Sequence, residues 1–93
     1  MYDRILMRMQ EAIRNRQYIM TLHAEEEMED DNLSIFDIES VVLTGKIIER
    51  QKDQITKEWK YLIEGKSISI GLAIVVAKLS ITGKLVIITV YKI

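Results

Sequence analysis

The chain contains no cysteine and no proline. Without cysteine there is no disulfide framework, no thiolate zinc site and no sulfur nucleophile, and a reducing compartment would leave the protein unaltered. Histidine occurs once and glycine four times in 93 residues. Gly65, Gly71 and Gly83 do not form a phosphate loop, and no GxSxG, HExxH or Walker pattern is present. Long hydrophobic runs are missing as well. Leu85 to Val90 is six residues long, and the stretch 68–79 is interrupted by Ser69, Gly71 and Lys78, against the roughly 20 apolar residues that a bilayer requires. The opening MYDRILMRMQEAIRNRQ mixes charged with apolar residues throughout, unlike a secretory leader. A soluble, cytoplasmic protein with no membrane partner and no cofactor is the expectation.

What is present reads as one small domain over 1–93. Apolar residues make up 48% and charged residues 29%, the mix of a chain that can bury a core. The 13 basic and 14 acidic side chains nearly cancel, but they are segregated. Residues 1–45 carry four Arg and ten acidic residues, whereas 46–93 carry nine Lys or Arg and four acidic residues. Such asymmetry points to a partner of one charge sign, or to lysines that guard exposed sheet edges.

The periodicity predicts helices first and strands afterwards. Tyr2, Ile5, Leu6, Met9, Ala12 and Ile13 recur at steps of three and four, which predicts a helix over about 2–16. Tyr18 to Leu22 is ambiguous. Thr21 suits the N-cap of a second helix, about 22–31. Ser34 and Asp37 have capping-box spacing, Leu33 and Ile38 sit at the staple positions, and Gly45 suits a left-handed helix end, predicting a third helix over about 34–44. From Lys46 the period becomes two, with strands expected at about 46–51, 57–64, 68–79 and 85–91. Ser80-Ile81-Thr82-Gly83 joins the last two as a hairpin loop. The expected fold is α+β: N-terminal helices packed on one face of a four-stranded antiparallel sheet.

Three groups of residues invite chemistry. His23 opens the second helix with Glu26 and Glu27 three and four residues on, where a helix brings the carboxylates to its side and favours the imidazolium. That arrangement suits a general acid, and equally a helix-start histidine satisfied by a local hydrogen bond. Glu25 to Asp31 places six carboxylates in seven residues. It reads as a solvated helix face, with a metal pair of His23 and Glu26 or Glu27 as the alternative that needs ligands from elsewhere. Arg50, Lys52, Lys57 and Lys60, with Lys46 and Lys66, lie among Trp59 and Tyr61. They form either a phosphate-and-stacking surface for RNA or the rim of a core whose face is Trp59, Tyr61 and Ile63.

The string TLHAEEEMEDDNLSIFDIESVVLTGKIIE, then YLIEG, AIVVAKL and the terminal IITVY, resembles the DUF4258 family of small bacterial proteins over roughly residues 18–92. The resemblance rests on His23-Ala24, on the helix Ser34 to Gly45 and on Thr89-Val90-Tyr91. It implies a RelE-like, barnase-related fold and a metal-independent endoribonuclease of a toxin–antitoxin pair. His23, Thr89 and Tyr91 match family positions and would then be catalytic, as acid/base and donor, whereas Arg50, Lys52, Lys57 and Lys60 are generic basic candidates for the phosphates and not motif positions. The implied partners are RNA and an antitoxin or other small protein. Many members carry basic residues in the run that follows His-Ala, where this chain reads His-Ala-Glu-Glu-Glu-Met-Glu-Asp-Asp, so Glu27 and Asp31 stand at usually basic positions. That departure motivates a second expectation, a non-catalytic interaction module that forms a homodimer or binds a small partner. The nuclease expectation requires the lone imidazole and Tyr91 to meet in one hollow.

Overall fold

The computed structural model describes residues 2–93. Helix α1 (Asp3–Arg14) buries Met9, Ala12 and Ile13. It closes with Arg16 in the left-handed region at φ 56, where Gln17 N–H reaches back to the Ala12 carbonyl at 2.8 Å. Strand β1 (Tyr18–Met20) follows. Helix α2 (Leu22–Asp30) is capped by Thr21, whose hydroxyl accepts the Ala24 N–H. Helix α3 (Ile35–Thr44) begins in a complete capping box between Ser34 and Asp37. The remaining strands are β2 (Lys46–Lys52), β3 (Trp59–Lys66), β4 (Leu72–Leu79) and β5 (Leu85–Lys92).

The architecture is α+β, but the sheet has five strands rather than four, in the order β1-β5-β4-β3-β2. The ambiguous stretch at Tyr18 supplies the fifth, which runs parallel to β5 with Tyr18, Ile19 and Met20 beside Leu85, Val86 and Ile87. A three-residue strand pairing with a segment at the far end of the chain leaves no local period to read, so the sheet is mixed rather than wholly antiparallel.

One face of the sheet carries the helices. Met9, Ala12, Ile13, Ala24, Ile38, Val41 and Val42 meet Tyr61, Ile63, Ala73, Val75, Ala77, Leu85, Ile87 and Val90 in one core. On the helix-free face Leu62, Ile74 and Val76 form a second, small cluster. This is the alternation of a pleated strand with both faces apolar at the centre of the sheet.

Two more expectations are corrected. Gly45 does not take a left-handed conformation; it is extended at φ −92 and ψ −178. It is glycine because a Cβ there would lie 2.4 Å from the Val41 carbonyl oxygen, and one on Gly65 would lie 2.1 Å from the same atom. The end of α3 therefore rests directly on the β3 backbone. The strand expected from residue 68 starts at Leu72, because residues 67–71 fold into a turn held by Asp37. Ile68 N–H and Ser69 N–H donate to Asp37 Oδ1 at 2.8 and 3.0 Å, and the Ser69 hydroxyl donates to both carboxylate oxygens. Burial pushes the Asp37 carboxyl up, but the donors from Ser34, Ser69 and Ile68 outweigh it and hold it at about 2.

Candidate functional site

The residues singled out by sequence fall into two places, and the structure adds a third. The first is the open edge of β5. A bulge at Ile88, between the pairs Ala77 with Ile87 and Val76 with Thr89, resets which backbone groups face outward. Beyond the end of β1 that edge is covered by α2 instead of a strand. Thr21 donates its hydroxyl to the Ile88 carbonyl at 3.1 Å, Val90 N–H donates to Glu27 Oε1 at 3.1 Å, and Lys92 N–H donates to Asp31 Oδ2 at 3.4 Å. Carboxylates four residues apart on a helix are spaced about 6 Å along its axis, close to the two-residue repeat of a strand, about 6.6 Å. The acidic run thus serves in part as a ladder of acceptors for an unpaired strand.

His23 joins this arrangement from outside. Its Nε2 lies 3.2 Å from Glu27 Oε1, and its side chain is 64% exposed. Thr89 and Tyr91 pair with Val76 and Ile74, which places both on the helix-free face, while Val90 between them enters the core. The imidazole therefore stands at the rim, linked to the Thr89–Tyr91 segment through the Glu27 carboxylate and the Val90 amide. Three surface clefts are lined by other residues. Among the described residues no group of three or more His, Asp or Glu side chains is placed to hold a metal ion.

The second place is the opposite side of the sheet. Arg50 pairs with Tyr61 and Lys52 with Trp59, so both lie on the helix-bearing face. The Arg50 guanidinium carbon sits 3.9 Å from the Trp59 ring centroid and 5.8 Å from that of Tyr2, and Lys52 Nζ lies 5.6 Å from Trp59. Tyr2 meets Tyr61 edge to face at 5.9 Å. The ring that would stack a base is thus already covered by a cation. Lys60 is on the other face, between Gln51 and the Lys78 strand. Lys57 sits in the β2–β3 turn at φ 63, a turn built on Asp53, which accepts the N–H groups of Ile55 and Thr56. The four cations do not converge. Three inter-strand steps, about 14 Å, separate β5 from β2, so Arg50 and Lys52 stand apart from His23.

The third place was not read from the sequence. Between α2 and α3 a cleft of about 430 Å³ is lined by Met20, Leu22, Met28, Leu33 and Ile35, with Glu25, Glu26 and Glu29 around it. Leu22 is 71% exposed. The signal was available in Leu22, an apolar side chain at the start of an otherwise acidic helix, and in Met20 on the strand before it. Nearby, Tyr18 fastens β1 to α3 by donating to Glu39 Oε2 at 2.6 Å. Burial and the Glu39 carboxylate push the Tyr18 hydroxyl up to about 12.

Comparison with known proteins gives one match. Residues 20–92 match the family model described as "Domain of unknown function (DUF4258)". No curated protein and no solved structure matches the chain. No helix among the described residues is long and apolar enough to cross a membrane.

Proposed function

The chain belongs to the DUF4258 family, a domain of unknown function, and from that premise we propose that it is a protein-interaction module that binds a small partner protein through the cleft between α2 and α3. The observation that carries this reading is the division of labour in α2. Glu27 and Asp31 are spent on the β5 edge, while Leu22, Met28 and the rim carboxylates Glu25, Glu26 and Glu29 face an open cleft. Exposed apolar surface rimmed by charged residues is a usual form of a protein-interaction site. The side chains that phosphodiester chemistry would call on are spread out. His23 is exposed beside Glu27, Thr89 and Tyr91 lie on the helix-free face, and Arg50 and Lys52 lie on the helix-bearing face of β2. Glu27, in place of a basic residue, sets a negative charge beside His23.

A second reading, the RelE-like endoribonuclease, draws on the His23–Glu27 pair. A fixed carboxylate orients an imidazole for proton transfer, and the Thr89–Tyr91 segment lies one amide away. One assay separates the two. Purified protein is incubated with single-stranded RNA in EDTA, alongside His23→Ala and Tyr91→Phe. The interaction reading predicts no cleavage above that of the two variants. Cleavage by the wild type that is lost in His23→Ala would replace it with the nuclease reading.

A further inference from the structure

We infer that the α2–α3 cleft takes a basic amphipathic helix of its partner; this deepens the interaction reading and rests on it. The apolar lining comes from three elements, with Met20 from β1, Leu22 and Met28 from α2 and Ile35 from α3, so the floor is a trough flanked by helices. Such troughs accept a third helix whose apolar ridge fills them. An added strand is the poorer fit, since β1 offers an edge of only three residues. Two methionines in the lining let the surface adapt to a ridge of uneven side chains.

The rim decides the sign of the partner. Glu25, Glu26 and Glu29 border the cleft. The sequence from Glu25 to Asp31 contains no cation, and the two ion pairs of the described residues, His23–Glu27 and Lys78–Glu58, involve none of the three. Lysines or arginines flanking an apolar ridge would meet these carboxylates, raising the association rate and fixing the helix orientation. A second copy of the chain is disfavoured as occupant. A two-fold contact through this cleft would set one acidic rim against another, and the basic amphipathic helix of the chain itself, α1, already buries its apolar residues Met9, Ala12 and Ile13.

The test uses two fluorescein-labelled peptides of roughly five helical turns, identical in their Leu and Ile positions, one flanked by Lys and the other by Glu. Binding to the full chain is followed by anisotropy at low and high salt. The basic peptide is expected to bind at least about tenfold more tightly than the acidic one, to weaken as salt rises, and to lose binding to Leu22→Lys. That variant changes an exposed side chain, and circular dichroism checks that it is folded. The triple variant Glu25→Lys, Glu26→Lys, Glu29→Lys is expected to reverse the preference. Equal binding of both peptides, lost in Leu22→Lys, would overturn the basic partner and leave the cleft as a docking site. Failure of both peptides to bind would overturn the cleft reading as well. Sedimentation showing a dimer that Leu22→Lys dissociates would replace the partner with a second copy.

Discussion

Glu27 accepts the backbone N–H of Val90 at 3.1 Å while its same oxygen lies 3.2 Å from His23 Nε2. The carboxylate is therefore a structural acceptor first and the imidazole its outer neighbour. The exposed ion pair adds little, whereas an unmet strand N–H at a partly buried edge is costly. Glu27→Ala is expected to destabilise the fold by about 1–2 kcal/mol and to speed hydrogen exchange of the Val90 amide well beyond that of its neighbours in β4. His23→Ala is expected to stay within about 0.5 kcal/mol of wild type, with the Val90 amide still protected. Urea unfolding and amide exchange read both. Equal loss in the two variants would assign the edge to the ion pair instead.

Asp37 makes stability depend on acidity. Its carboxyl is held at about 2 against an ordinary 3.8, so the folded state binds its proton later than the unfolded chain does. The stabilisation is fully present above pH 3.8 and is lost as pH falls toward 2, amounting to about 2 kcal/mol. Asp37→Asn is expected to be destabilised at pH 7 and to lose most of this acid limb, as measured by urea midpoints between pH 5 and pH 2. An unchanged limb in the variant would place the titrating group elsewhere.

Gly65 and Gly83 separate two uses of glycine. Gly65→Ala drives a Cβ into the Val41 carbonyl oxygen, a backbone atom that cannot move aside without shifting α3; about 3 kcal/mol of destabilisation is expected. Gly83 has φ +88 and open space around it, so Gly83→Ala costs only the left-handed backbone, about 1 kcal/mol. Thermal unfolding of the two variants ranks them. The reverse order would mean that α3 does not rest on β3 at this point.

The elements with their own local punctuation were legible in sequence. Ser34 with Asp37 announced the start of α3, Thr21 that of α2, and the alternation of Trp59, Tyr61 and Ile63 named the inner face of β3. What was hidden depends on distant parts of the chain. The pairing of β1 with β5 joins residues near opposite termini, the second role of Asp37 reaches across to Ile68 and Ser69, and the glycine requirement at Gly45 comes from the neighbouring β3 backbone rather than from its own φ. The same holds for function. Spacing along α2 brought His23 and Glu27 together. No local pattern could tell that Val90 would claim the carboxylate, that Arg50 would lie on Trp59, or that Lys60 would face away from both.

The methionines report where a partner helix touches the molecule. In protein carrying ¹³C-methyl methionine, Met20 and Met28 line the α2–α3 cleft, Met7 is exposed on α1 and Met9 is buried beneath it. Titration with the Lys-flanked peptide is expected to shift the Met20 and Met28 methyl signals together, leaving Met7 and Met9 in place. Shifts confined to Met7, or none at Met20 and Met28 while the peptide is bound, would contradict docking in this cleft.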